Sequence, residues 1–361
     1  MTFPDLNTGQ SSVWGGIAYW RFTSVSSAIV ILAAAIFNLL INPFSIYGIK
    51  LIAHPMGMYE KKFKLYNEFK PPANVLILGS SRVMTLDPEI VENLTGERCF
   101  NFWLPGAATE TYYAVLKLAL TDMHDPIDTV IVGAGIEAFH PSLGIQPEAR
   151  YIPELSRYFI HDPHGSATIW DKIGLLFTMD QTLQSAQMAY GTLRKSLGRV
   201  PQSNEPPKLE YRYDGFTVQA KSDAQIDAGN FDLDAKIEAR LRNKRYTERS
   251  LAISGWTGLS HARTAYWEDF LKLCKQNDIK VYTFMPPAHP KLIALLSEFN
   301  AQPIFDQVSD YLKKSTEENG GTFRDYTDID NFNGDPNLFY DELHIRKGNG
   351  DRILENLLKS R

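Results

Sequence analysis

Three short stretches of this chain carry side chains that could do acyl-transfer chemistry together. The first, Gly79-Ser80-Ser81-Arg82, ends an apolar run from Val75 to Leu78. A serine beyond the C-terminal end of a buried strand sits near backbone N–H groups, which suits a nucleophile or an anion-binding hydroxyl. The same Gly-Ser-Ser also makes an ordinary strand-to-helix turn. The second stretch, Asp341-Glu342-Leu343-His344, sets a carboxylate three residues before an imidazole. On one turn the two side chains share a side, and a histidine so oriented can take a proton from serine. A solvated acidic loop has the same spacing. The third is Asn101-Phe102-Trp103-Leu104-Pro105-Gly106. A bare glycine N–H beside a nucleophile stabilises an oxyanion, although Gly106 alone reads first as a turn glycine after proline.

Three further side chains have two readings each. His289, in FMPPAHP, follows a later strand and could bind substrate at the same mouth, or occupy a surface turn. Arg82 could hold an acidic sugar or donate to the oxyanion, or pair with a nearby carboxylate. Trp103 could line an acyl or sugar pocket, with core packing the plainer reading. Other chemistry finds no support. The net charge is −5 with no long basic run, so no nucleic-acid partner is expected. The two cysteines, Cys99 and Cys274, form no CxxC and read as buried free thiols rather than zinc ligands or a disulfide. Neither a P-loop, a GxGxxG fingerprint nor HExxH occurs, so no cofactor and no metal are expected.

The elements that must position these residues form an alternating pattern from residue 74 onward. VLILG, RCFNFW, TVIVGAG, KVYTFMPP and FRDYTD read as strands. Helical patterns lie between and after them, over LDPEIVENLTG (Asp87 at its start, Gly96 at its end), 108–122 (capped by Thr109 or Thr111), 261–277, 289–298, 303–317 and 349–360. Strands alternating with helices imply an α/β fold with a parallel sheet covered on both faces. Residues 140–255 break the rhythm; they are long, polar and charged, and read as an insertion or cap carried by the sheet, with a helical stretch near 167–196.

Ahead of the sheet lie a polar tail (1–21), an uncharged apolar segment (22–47) and a connector (48–73). The apolar segment is long enough to cross a bilayer of roughly 30 Å and is flanked by Trp14, Tyr19, Trp20 and Tyr47. It reads as an uncleaved anchor whose partner is the lipid bilayer. Lys50, Lys61, Lys62 and Lys64 after it would by themselves favour a cytoplasmic C-terminal domain.

Taken in order, the blocks resemble the SGNH/GDSL hydrolase superfamily over 74–139 and 262–358. Gly79-Ser80-Ser81 stands where the family has Gly-Asp-Ser, Asn101 and Gly106 match its second block, and Asp341-Glu342-Leu343-His344 matches its closing Asp-x-x-His. The resemblance implies a three-layer α/β/α, flavodoxin-like parallel sheet. It makes Ser81 the nucleophile, His344 the base and Asp341 its orienting carboxylate, with Gly106 and the Ser81 N–H lining the oxyanion hole. Arg82, Asn101, Trp103 and His289 are the substrate-binding candidates. The chain departs from the pattern at two places. Ser80 replaces the aspartate, and Val132-Gly133-Ala134-Gly135-Ile136-Glu137 lacks the third-block Asn that donates to the oxyanion. That leaves the oxyanion hole incomplete or differently built.

With one anchor, the chain is similar to membrane-attached SGNH-like proteins of bacterial envelopes, such as those of alginate acetylation and D-alanyl transfer. This implies a single-pass protein of the cytoplasmic membrane with its C-terminal domain in the periplasm or outside. There it would act on an acylated glycan or small molecule beside a multi-span membrane O-acyltransferase. The missing Asn equally fits a non-catalytic scaffold or glycan-binding partner.

Overall fold

The computed structural model describes residues 10–43, 46–49, 57–161, 168–197 and 206–359. Contacts divide the chain into two units, one drawn from 1–57 and 167–203, the other from 58–166 and 204–361. In chain order the elements begin with helices α1 (Gln10–Ile41) and α2 (Met58–Glu68), strand β1 (Val75–Gly79), α3 (Pro88–Thr95), β2 (Cys99–Asn101), α4 (Thr109–Thr121) and β3 (Thr129–Gly133). The insertion holds α5 (Pro147–Tyr151), α6 (Pro153–Ser156), α7 (Ile169–Leu175), α8 (Met179–Ser196), the short strands β4 (Glu210–Tyr211) and β5 (Thr217–Val218), α9 (Ala220–Asp227), α10 (Leu233–Leu241) and α11 (Lys244–Ser250). Then follow α12 (His261–Gln276), β6 (Lys280–Met285), α13 (Pro290–Ile293), α14 (Gln302–Glu318), β7 (Thr322–Asp325) and α15 (Lys347–Lys359).

In the larger unit, five parallel strands lie in the order β2-β1-β3-β6-β7. Leaving out the small β4-β5 hairpin, that is the doubly wound order 2-1-3-4-5. The alternation of side chains along each strand builds two cores. Leu76, Leu78, Val130 and Val132 pack with α4, α12 and α14 on one face. Val75, Ile77 and Ile131 pack with Val91 of α3 and Ile353, Leu354 and Leu357 of α15 on the other. Each fully buried aliphatic side chain contributes about 1.5–3 kcal/mol. The expected α/β fold with a covered parallel sheet is therefore present. Local chemistry explains the helix ends. Asp87 caps α3 through the Glu89 N–H, and Gly96 ends it in the left-handed conformation.

Several boundaries differ from the sequence reading. The connector 48–73 contains α2, whose Tyr59, Lys62 and Tyr66 are buried in the larger unit. Neither Thr109 nor Thr111 caps α4; Ala108 stands at its cap without a side-chain bond. The stretch 289–298 keeps helix only over Pro290–Ile293. Residues 340–344 form a bend, not a helical turn. Both cysteines are free and buried.

In the smaller unit, α1 includes a segment, Tyr19–Ile41, long and apolar enough to cross a membrane. The helix starts at Gln10, within the expected tail, and stops at Ile41, before the expected end of the anchor at 47. The insertion does not stay with one body. Residues 167–203 group with the N-terminal helix, where Asn38 Nδ2 donates to the Leu176 carbonyl at 2.8 Å and to Thr182 Oγ1 at 2.9 Å. The rest of the insertion belongs to the sheet unit.

Candidate active site

The register sets the site. Gly79 pairs with Gly133 at the C-terminal ends of β1 and β3, and Gly133 pairs with Phe284 of β6. A Cβ on Gly133 would lie 2.3 Å from Val83 Cγ1, so a bare backbone here lets the turn after β1 fold down onto the sheet. That turn is a short 3₁₀ segment, Ser81–Val83, with Ser80 at its cap. Asn101 pins it from beneath. The Asn101 amide donates to the carbonyls of Val83 at 2.9 Å and Leu86 at 2.8 Å, while its oxygen accepts from the Trp103 N–H at 3.1 Å.

The partner loop carries its own geometry. Asp341 Oδ1 accepts from the backbone N–H groups of Leu343 at 3.0 Å and His344 at 2.9 Å, a local turn that aims the carboxylate at its neighbour's ring. His344 Nδ1 lies 2.8 Å from that oxygen, and His344 Nε2 lies 2.9 Å from Ser81 Oγ. A proton on Nδ1 donates to Asp341 and leaves Nε2 to accept from the serine hydroxyl. The structure thus brings Ser81, His344 and Asp341 into one hydrogen-bonded chain.

The insertion braces this loop. Lys236 of α10 donates to the Tyr340 carbonyl at 2.8 Å, and Arg240 lies 3.5 Å from Asp341 Oδ2 and 3.3 Å from Glu342 Oε2. Buried Glu342 also accepts from the Tyr246 hydroxyl at 2.5 Å and the Ser250 hydroxyl at 3.2 Å. The sequence reading treats 140–255 as a polar, charged insertion or cap and singles out none of these residues. The available signal was the Lys236–Arg240 pair, four residues apart on one helix face.

Burial alone would raise the Asp341 carboxyl. His344 beside it and the Leu343 and His344 N–H donors outweigh burial and hold it well below the usual carboxylate range. Because the folded value is the lower one, this ionised carboxylate contributes stability above its unfolded value of about 3.9, and the contribution fades as pH falls through the folded value. The urea midpoint of Asp341→Asn is therefore expected below that of wild type at pH 7, with the gap closing in acid. A gap that stays constant from pH 7 to pH 3 would contradict the assignment.

The remaining candidates divide. The Leu104 N–H donates to the Gly79 carbonyl at 3.1 Å, which brings the Gly106 loop to the end of β1 and leaves Gly106 exposed at φ +60°. Arg82 stays at the site but is held. It donates to the carbonyls of Pro286 at 2.9 Å and Pro287 at 3.0 Å and pairs with Glu137 at 3.5 Å. Ser80 Oγ reaches Glu137 Oε1 at 3.4 Å. A Cβ on Gly135 would lie 2.4 Å from Glu137 Oε2 and 2.8 Å from Arg82 Nη1. Ser80, which stands where the family has aspartate, thus meets Glu137, the last residue of the segment that lacks the Asn, with Arg82 between the β3 and β6 ends.

Three substrate-binding candidates are corrected. Asn101 is fully buried and its amide is spent on backbone groups, so it positions the serine turn. Trp103 is 1% exposed, donates to Thr217 Oγ1 at 2.9 Å and stacks on Tyr211, so it packs the core. His289 is buried, accepts the Lys291 N–H at 3.2 Å as the cap of α13, and packs edge-on against Phe339. Burial lowers its pKa, and its backbone N–H donates to the Glu342 carbonyl at 3.0 Å. It braces the loop that carries Asp341 and His344.

No protein-family model matches this chain, and no curated protein does. The functional reading rests on the side chains themselves. Among the described residues, no group of three or more His, Cys, Asp or Glu side chains is arranged to hold a metal ion. What the arrangement offers is a serine hydroxyl, a base in hydrogen-bond contact with it, and a carboxylate behind the base.

Proposed function

We propose that this chain is a membrane-anchored serine acyltransferase or esterase of the SGNH type. Its substrate would be an ester-linked acyl group of a cell-envelope or exopolysaccharide glycan. The observation that carries the reading is the continuous chain Ser81 Oγ–His344–Asp341, with links of 2.9 and 2.8 Å. In this mechanism Ser81 Oγ attacks the acyl carbonyl carbon while His344 Nε2 takes its proton. The oxyanion forms beside the Ser81 and Gly106 N–H groups. His344 returns the proton to the leaving alcohol, and the acyl group stays on Ser81. A glycan hydroxyl or water, deprotonated by His344, then attacks the ester carbon; the bond to Ser81 Oγ breaks and His344 returns the proton to that oxygen.

The strand order and the position of Ser81 beyond the end of β1 support an SGNH-type fold. The apolar segment of α1 supports anchoring in a membrane. The envelope location, the glycan substrate and a multi-span O-acyltransferase partner come from the resemblance described above. No cofactor enters the reaction.

A second reading, a non-catalytic glycan-binding or scaffolding protein, is favoured by the absence of an Asn from 132–137, the segment that instead ends in the Arg82–Glu137 pair. Labelling the purified full chain with a fluorophosphonate separates the two. The expected result is labelling of wild type and none of Ser81→Ala. A folded wild type that takes up no fluorophosphonate or small activated ester would favour the scaffold.

A further inference from the structure

The α7–α8 pair has its polarity inside out. Gln181 and Ser185, one turn apart on α8, are buried, as is Asn38 of α1. The Gln181 amide, the Ser185 hydroxyl and Asn38 Oδ1 have no hydrogen-bond partner among the described residues. On the other side of α8, Met179, Leu183, Ala186, Tyr190 and Leu193, continued by Leu197 just past its end, recur at spacings of four and three, and all six are exposed. Five of them are large and more than half exposed. In α7, Ile169 and Trp170 are 64% and 75% exposed.

In water a helix gains by burying its Leu and Tyr residues and wetting its Gln and Ser. Here the polar side chains turn inward and the apolar ones outward, the arrangement that lipid favours, because hydrocarbon does not penalise an exposed leucine. The pair also shares a unit with the apolar segment of α1, and the polar tie from Asn38 to Leu176 and Thr182 joins them. Asp180, Gln184, Gln187 and Arg194 on α8 are too many polar groups for a crossing helix but suit one lying along the surface. Trp170 suits the headgroup level.

We propose that α7 and α8 are a second membrane element. The pair lies in the headgroup–acyl boundary of the bilayer that α1 crosses, with the α8 stripe and the start of α7 turned to lipid. This rests on reading α1 as a span, so the test reports the two separately. The two native cysteines are buried, so single cysteines can be spin-labelled in the full chain. Leu183→Cys and Tyr190→Cys report α8, and Ile29→Cys, exposed in the apolar segment, reports α1. The labelled protein is reconstituted in phosphatidylcholine/phosphatidylglycerol vesicles, and collision with oxygen is compared with collision with a water-soluble nickel chelate.

The expected result is that oxygen exceeds nickel severalfold at 29, 183 and 190. Nickel access at 183 and 190 with lipid access at 29 would overturn the proposal and leave the span intact. Exclusion of both reagents at 183 and 190 would also overturn it, since protein would then cover the stripe. Nickel access at 29 would remove the span and the proposal together.

Discussion

Asp341→Asn is expected to slow turnover of an activated ester by on the order of 10³- to 10⁴-fold, with the protein still folded. The substituted amide keeps an oxygen that can accept from the Leu343 and His344 N–H groups and from His344 Nδ1, so the loop retains its turn. What it loses is the negative charge that, in the proposed mechanism, stabilises the imidazolium formed when Ser81 gives up its proton. The new NH₂ group would also face Arg240, 3.5 Å from the present Oδ2. Steady-state hydrolysis of a p-nitrophenyl ester, with circular dichroism as the control for folding, measures this. Retention of more than about a tenth of the wild-type rate would remove Asp341 from the relay. Arg240→Met is expected to cost far less, because Arg240 meets the carboxylate at long range and is itself about one-third exposed.

Gly133→Ala is the second large effect, and it acts through the backbone. The new methyl group would sit 2.3 Å from Val83 Cγ1 and 2.9 Å from Phe284 Cζ, well inside contact distance. Gly133 lies in a central strand paired on both sides, so it has little room to retreat. Overpacking of this kind costs about 1–3 kcal/mol. Because Val83 belongs to the same 3₁₀ turn as Ser81, the displaced valine carries the hydroxyl away from His344. Both melting temperature and fluorophosphonate labelling are expected to fall. Adding Val83→Ala removes the methyl in the way and should restore part of each. If Gly133→Ala melts and labels like wild type, the close packing of the turn on β3 is not what positions the serine.

The parts of this architecture that could be read from the chain are those where one local cause dominates. VLILG and TVIVG are continuous apolar runs ending in glycine, and both are central strands. Asp87, Pro88 and Gly96 bracket α3 because capping needs only neighbouring residues. The Asp341–His344 spacing was legible, though a bend and not a helical turn brings the pair together. What stayed hidden depends on distant partners. In α2, Lys62 is fully buried with its Nζ donating to the Asn101 carbonyl at 2.7 Å and also to that of Gly215. In sequence it reads only as one of the lysines, Lys50, Lys61, Lys62 and Lys64, that follow the apolar segment. Asn101 looks like a site residue because it follows a strand, yet its amide is taken up by the turn beneath Ser81. The division of the insertion depends on Asn38, some 140 residues away from its acceptors, and no local pattern announces it.

The contact between Ser81 and His344 joins positions 263 residues apart. A ribosome adding about 5–20 residues per second therefore needs on the order of tens of seconds between making the proposed nucleophile and making its proposed base. Throughout that interval Ser81 lacks the imidazole that it contacts in the folded chain. The proposed relay can therefore form only after the last stretch of the chain has been made, whatever else has already folded.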